Sequence, residues 1–445
     1  LKNTSNKKLS LTMATALVVG NMIGVGIYLL PASLAGRGWV SVLGWVFTAA
    51  GALILARIFG KMSVLVPNKS GGPYAYTRAG FGDFMGFLIA WGYWITCWVG
   101  NAAIVIATVG ALQFFFPSWN DQVWPQVLVG LGLLWSLTLL NSRGVRESGL
   151  FQVVTVIIKI LPMIFVILIG AFYFSWDNFP PFITTGDTPW GAVAGVATLT
   201  LYAFLGLESA SIPAAEVDNP EKNIPKATFY GTLASTVFYI LGTIVLFGML
   251  PWQELSQSTA PFADAAQLLG GEWSAYFVAA GAFVSGVGAL NGWVLITAQV
   301  PLATAEDDLF PVVFKRKSGR GVPLHGLIIG SSLTSLLLLM TASDQLVEQF
   351  EFIGFLTVFT SLVPYMFVAA AYVLMSIDER LAPKSLTSAI ILGSLGFAYT
   401  AWTIYGSGQE AVFYGFLLLM AGLPFYWRMR WNKLKRRDQE ADKSR

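Results

Sequence analysis

Apolar runs of about 20 residues follow one another along this chain, each long enough to cross a bilayer as an α-helix. Hydrocarbon offers the backbone no hydrogen-bond partners, and a helix satisfies its own N–H and C=O groups. The recurring runs therefore read as an all-α integral membrane protein. Composition agrees: 55% of the 445 residues are hydrophobic, 11% are charged, and the mean hydropathy is +0.65. A soluble domain carries roughly a quarter charged residues.

Twelve spans are expected, at about 11–35, 39–60, 84–115, 125–142, 149–174, 189–213, 226–250, 272–305, 324–342, 350–375, 386–405 and 410–430. With the N-terminus in the cytoplasm, 25 of the 27 Lys and Arg residues fall on the cytoplasmic side, in the loops and in a basic tail at 431–445. Only Arg37 then lies outside and only Lys159 inside a span. This charge bias supports an even number of spans with both termini cytoplasmic. The Lys-rich start is read as the flank of a retained first helix rather than a signal peptide. The net charge of +3 does not imply a nucleic-acid partner, because the basic residues sit at helix ends, where topology and anionic lipid account for them.

The chain reads as one membrane domain, 1–445. Spans one to five (11–175) and six to ten (189–375) form two blocks of similar length, and 386–430 holds two further helices. Five is odd, so the second block enters from the opposite side, as in an inverted-topology repeat. The first span of each block is broken at mid-length. One break is Gly20-Asn21-Met22-Ile23-Gly24-Val25-Gly26; the other is Phe204-Leu205-Gly206-Leu207-Glu208-Ser209-Ala210. Paired interruptions at corresponding places point to a transporter site at the bilayer midplane. Freed N–H groups and a half-helix dipole suit a substrate carboxylate. Close packing through small residues is the alternative.

Two ionisable residues lie deep in spans. Glu208 sits in the second break, where a carboxylate usually faces a cavity and marks a substrate or proton path. Burial favours its neutral form and a nearby cation its charged form, which could couple protonation to cation binding; a structural hydrogen bond is the alternative. Lys159, in span five, needs carbonyls, a hydroxyl or a carboxylate as partners. It is read either as an internal cation that braces the broken helix and is a candidate with Glu208 for proton coupling, or as a lysine in a wet crevice. Tyr202 and Trp293 lie near mid-depth, where aromatic faces hold an ammonium or guanidinium by cation–π attraction of roughly 0.5–2 kcal/mol. Tyr93 and Tyr365 are weaker signals of the same kind. Asn101 offers an amide in the membrane, as a ligand group or as interhelical glue. Cys97, the single cysteine, forms no intrachain disulfide, and His325 is too isolated for a metal cluster. Phosphate-loop, zinc and nucleophile-elbow motifs are missing, so no enzyme activity, cofactor or metal is expected and transport should be secondary.

These motifs resemble the amino acid–polyamine–organocation superfamily, and most closely its basic amino acid/polyamine antiporter branch, which includes arginine/agmatine exchangers. The likeness takes in the first break with Leu30-Pro31, Ser70-Gly71-Gly72-Pro73-Tyr74-Ala75-Tyr76 and Cys97-Trp98-Val99-Gly100-Asn101. It continues through the second break, Asn219-Pro220, Gly292-Trp293, Asp307-Asp308-Leu309-Phe310-Pro311 and Leu362-Val363-Pro364-Tyr365. The resemblance implies a leucine-transporter-type 5+5 inverted repeat with helices one and six broken, often as a homodimer. It implies that backbone at Met22, Ile23, Gly24, Val25 and Gly26 binds the substrate carboxylate and that Trp293 stacks on the substrate side chain. Thr96, Cys97, Asn101 and Thr357 would surround the distal polar group, with Tyr202, Ala203 and Leu205 completing the wall. Glu208 would sense protons, and Tyr93 and Tyr365 would act as gates. In that branch a tryptophan stands where this chain has Tyr202, a serine where it has Val25 and an alanine where it has Thr96. Lys159 resembles instead the span-five lysine of neutral amino acid exchangers, where the ammonium takes the place of a sodium ion. By that analogy no sodium dependence is expected.

The expected function is therefore a secondary amino acid transporter of the inner (cytoplasmic) membrane. Exchange of a cationic amino acid for its amine, or for another amino acid, is favoured. A neutral amino acid exchanger or proton symporter is the alternative, and a non-transporting sensor a remote one. The expected partners are small-molecule amino acids and amines and the lipid bilayer.

Overall fold

The computed structural model describes residues 8–119, 122–186, 188–258, 260–340, 347–379 and 382–431. Among them are the α-helices α1 Leu11–Met22, α2 Leu30–Ala35, α3 Val40–Leu65, α4 Pro73–Gln113, α5 Val123–Asn141, α6 Val145–Gly170, α7 Pro189–Leu201, α8 Pro220–Met249, α9 Trp252–Gln257, α10 Pro261–Gly270, α11 Glu272–Glu306, α12 Leu324–Met340, α13 Val347–Asp378, α14 Pro383–Gly406 and α15 Gln409–Met420, with a further helical stretch at 423–431. No strand occurs among the described residues beyond an isolated parallel bridge between Leu9 and Val217. Among the described residues ten helical segments are long and apolar enough to cross a membrane, and Leu11–Met22 and Leu324–Met340 are shorter apolar helices. Large apolar side chains such as Leu128, Leu139, Ile157 and Leu168 stand more than half exposed. On helices long enough to span a bilayer, a surface of that kind suits contact with lipid. The protein is a multi-pass membrane protein.

The core is built where α4 packs along α11 and α13, with α1 against α6 and α8. Its interior holds many hydroxyls, including Thr48, Thr200, Thr232, Ser285 and Thr304, all fully buried. Several hand their proton to a carbonyl one turn back, as Thr232 does to Thr228 at 2.7 Å and Thr304 to Val300 at 2.8 Å. That arrangement keeps a polar side chain satisfied inside a membrane helix.

Two helix starts differ from the hydropathy reading. α4 begins at Pro73, ahead of the expected start near 84, and α8 at Pro220 rather than near 226. Charged residues in the first turns lower local hydropathy without ending the helix. In α4, Gly82 adopts φ 81°, a conformation that glycine alone takes easily, and kinks the helix there. The expected tail at 431–445 lies almost wholly outside the described residues.

Candidate substrate site

The first break is a real interruption. α1 ends at Met22, Gly24 is extended, and a 3₁₀ turn covers Val25–Tyr28 before α2. In a continuous helix the Gly24 N–H would bond to the Gly20 carbonyl. Here it bonds to Met22 O at 3.0 Å. Lys159 fills the vacancy: its fully buried Nζ donates to Gly20 O at 2.8 Å and to Ile23 O. Ser285 Oγ also donates to Ile23 O, at 3.0 Å, and Tyr28 OH to the Lys159 carbonyl, at 2.7 Å. Of the partners considered from sequence, Lys159 thus uses backbone carbonyls, and it sits at the break.

The second break follows the same logic. α7 ends at Leu201, a 3₁₀ turn spans Tyr202–Phe204, Leu205 is extended and Gly206 has φ 104°. The two breaks touch. A Cβ placed on Gly206 would stand 2.9 Å from Asn21 Cβ and 3.2 Å from the Asn21 carbonyl carbon. Asn21 Nδ2 also donates to Ser209 Oγ at 2.8 Å.

A cavity of about 300 Å³ opens where they meet. Met22, Gly24, Val25 and Gly26 line it from the first break, and Tyr202, Ala203 and Leu205 from the second. Thr96 on α4 and Trp293 on α11 complete the predicted residues on its wall. Trp293 Nε1 points to Asn21 O at 3.4 Å. Sequence reasoning missed Asn21, Gly100, Ala103, Ile104, Ala107, Ala289 and Ser361, which also line it. Asn21 lay in view inside the first glycine cluster; the small α4 residues carry no chemical signal of their own.

Several predicted residues stand off the cavity wall. Ile23 is fully buried and turns its carbonyl to Lys159. Cys97 is also fully buried, and Asn101 Nδ2 donates to Thr297 Oγ1 at 3.0 Å, a bond between α4 and α11. A helix presents only one face to a cavity, and on α4 that face carries Thr96, Gly100, Ala103 and Ala107, at spacings of three and four. The Thr357 side chain lies outside the described residues.

Glu208, Tyr93 and Tyr365 form one buried cluster rather than three separate devices. Tyr93 OH donates to Glu208 Oε1 and Tyr365 OH to Oε2. The Gly206 N–H donates to the same Oε2 at 3.1 Å. Phe59 meets the Tyr365 ring edge-on, with centroids 5.5 Å apart. The carboxylate is thus held by hydroxyls and one backbone N–H, directly behind the second break.

One end of the bundle beyond this cluster is tied shut. Arg78 pairs with Asp307 at 2.5 Å and with Asp83 at 2.8 Å, and Tyr74 OH donates to Asp307 at 2.9 Å. Leu9 and the segment 216–218 are joined by backbone bonds of 2.7 and 2.9 Å. Toward the other end, a second cavity of about 600 Å³ adjoins the first, sharing Val25 and Ala107 and reaching Phe114 and Phe262.

The sequence pattern of a family described as amino acid permease matches residues 9–426. The chain belongs to the amino acid permease family. Among its relatives, the putrescine transporter PotE of Escherichia coli (strain K12) is 33% identical over 96% of this chain and 97% of its own. The arginine/ornithine antiporter of Pseudomonas aeruginosa is 31% identical over 95% of this chain and 91% of its own. The arginine/agmatine antiporter of Chlamydia pneumoniae is 30% identical over 96% and 90%.

Proposed function

We propose that this permease is a secondary antiporter that exchanges a cationic amino acid for its amine, or for another amino acid, by alternating access. One observation carries the proposal: two broken helices meet at a single cavity walled by Trp293 and Tyr202. Relatives named for putrescine transport, arginine/ornithine exchange and arginine/agmatine exchange match nearly end to end.

In this reading the substrate carboxylate lies against the backbone of Met22, Gly24, Val25 and Gly26, where the 3₁₀ turn begins with N–H groups that have no acceptor within it. Trp293 and Tyr202 face the cationic side chain. Thr96 and Ser361 meet its distal group, while Cys97 and Asn101 support that wall from behind. A cationic substrate brings positive charge toward Glu208, whose carboxylate form the donating Tyr93 and Tyr365 hydroxyls favour while burial favours the protonated one. The two tyrosines close the path beneath. Lys159 braces the first break and replaces a free cation, so exchange does not depend on sodium.

The ten long apolar segments together with α1 and α12 support twelve spans in a 5+5 inverted repeat, 11–175 and 189–375, with 386–430 added. The Lys and Arg distribution supports cytoplasmic termini in an inner membrane. With that orientation the paired cavities face outward and the Arg78–Asp307 end faces the cytoplasm. A homodimer follows from the family resemblance.

The test is uptake of labelled arginine into proteoliposomes preloaded with arginine, agmatine, ornithine, putrescine, leucine or nothing. Uptake driven by internal cations and absent from empty vesicles is the expected result. Uptake indifferent to what is inside would sink exchange. Neutral amino acid exchange is the second reading, favoured by the absence of any Asp, Glu, Lys or Arg among the described residues that line the cavity. Leucine uptake on leucine loading, with no response to cations, would establish it.

A further inference from the structure

A groove of about 340 Å³ lies between α3 and α8, away from the substrate cavity and at the end of both helices where charges gather. It exists because the helices approach closely at one point. A Cβ on Gly60 would stand 3.1 Å from the Cα of Pro225. Beside that contact Arg57 and Lys61 project from α3, one helical turn apart and both exposed. The Arg57 guanidinium stands 5.9 Å from the centre of the Phe229 ring, within range of a cation–π contact that holds it over the groove. Among the described residues no carboxylate lies within ion-pair distance of Arg57 or Lys61. Glu221 also lines the groove, but Lys222 and Lys226 follow it on α8, so the local balance stays positive.

The surroundings are apolar in one direction only. From the groove toward the middle of α8, Tyr230, Leu233 and Val237 stand exposed at helical spacings of three and four. The site therefore combines two cations at a helix end with a continuous apolar stripe running into the membrane.

We propose that this groove binds the headgroup of an anionic phospholipid, with the phosphate between Arg57 and Lys61 and the acyl chain along Tyr230, Leu233 and Val237. The charge supplies the selection: a zwitterionic lipid offers the same chain but no net negative charge to two unpaired cations. Basic pockets between spanning helices recognise anionic headgroups in this manner. The site is separate from the exchange cavity, and lipid binding there does not depend on which substrates the transporter carries.

The experiment titrates the purified full-length protein with short-chain phosphatidylglycerol or phosphatidylcholine and counts bound lipid by native mass spectrometry. Phosphatidylglycerol is expected to bind about tenfold or more tightly than phosphatidylcholine, and R57Q/K61Q to abolish that preference. R143Q/R146Q, which neutralises a different basic end, keeps it. Equal binding of the two lipids, a preference that survives R57Q/K61Q, or the same loss in R143Q/R146Q would each overturn the proposal. Displacement of the lipid by inorganic phosphate alone would also overturn it, because the site would then hold the free ion. A photoactivatable phosphatidylglycerol on the unmodified protein gives a reading that does not depend on any variant folding. Cross-links within 53–64 or 221–237 support the site, and cross-links confined elsewhere refute it.

Discussion

Lys159 serves a carbonyl that the helix break itself created. Because Gly24 N–H turns to Met22 O, the Gly20 carbonyl has lost its helical donor, and the Lys159 ammonium supplies another. Ile23 O keeps Ser285 as a second donor, so the loss on removing Lys159 falls mainly on Gly20. Lys159→Met should therefore cost about 1–3 kcal/mol for that buried acceptor. The expected readout is a lower melting temperature in detergent together with reduced exchange. Unchanged stability would show that the ammonium contributes nothing net to the break. Among the described residues Glu208 is the other fully buried acidic or basic side chain, and its partners Tyr93 and Tyr365 are 115 and 157 residues away in the chain. Glu208→Gln keeps the shape but presents one acceptor oxygen where two were used. Exchange of cationic amino acids is expected to fall about tenfold or more and to lose its dependence on pH. A variant with the parent's rate and pH profile would remove Glu208 from proton coupling. The sequence revealed Glu208 and Lys159 because charge is rare inside a span. It could not reveal that two tyrosines on other helices converge on one carboxylate, since no local pattern encodes that meeting.

The broken helices carry the site because each break leaves backbone for other groups to use. Their positions were legible: three glycines in the first, and a glycine with a carboxylate in the second, are poor choices for a buried continuous helix. Which side of each break faces the cavity was not legible. Ile23 stood among expected substrate contacts, yet it turns inward and gives its carbonyl to Lys159, while Asn21 bridges to Ser209. On α4 the expected Cys97 and Asn101 lie off the wall that Thr96, Gly100 and Ala103 form. Position along a span is read from hydropathy, but rotation about its axis depends on packing with distant helices. Gly206 tests the contact between the breaks directly. Gly206→Ala forces a side chain into φ 104° and against Asn21, so a loss of about 1–3 kcal/mol is expected, with much reduced exchange. A variant that melts and transports like the parent would mean that the breaks do not depend on close contact.

At the level of the whole molecule, the alternating access proposed above would place the cavity, the buried carboxylate and the Arg78–Asp307 pair along one path. The membrane character and the approximate spans were legible from run length and charge placement, because the bilayer enforces both. The path was not, because it is assembled from α1, α4, α7, α11 and α13 together. Exchange through such a path moves whatever net charge its two substrates differ by. Arginine entering against agmatine leaving transfers one positive charge outward per cycle, worth about 2.3 kcal/mol per 100 mV. Arginine uptake into agmatine-loaded vesicles should therefore rise when the interior is made positive by an ionophore, and arginine–arginine exchange should not respond. Equal responses of the two modes would rule out the charge difference.

The tether that fixes Lys159 has a thermodynamic side. An ammonium that is part of the chain has no concentration on either face of the membrane. Dilution cannot empty its place beside Gly20, and no metal-ion gradient can do work through it. A transporter braced in this way needs no dissolved metal cation to hold the break, but must draw the free energy for accumulation from its two cargoes, from protons or from the membrane voltage.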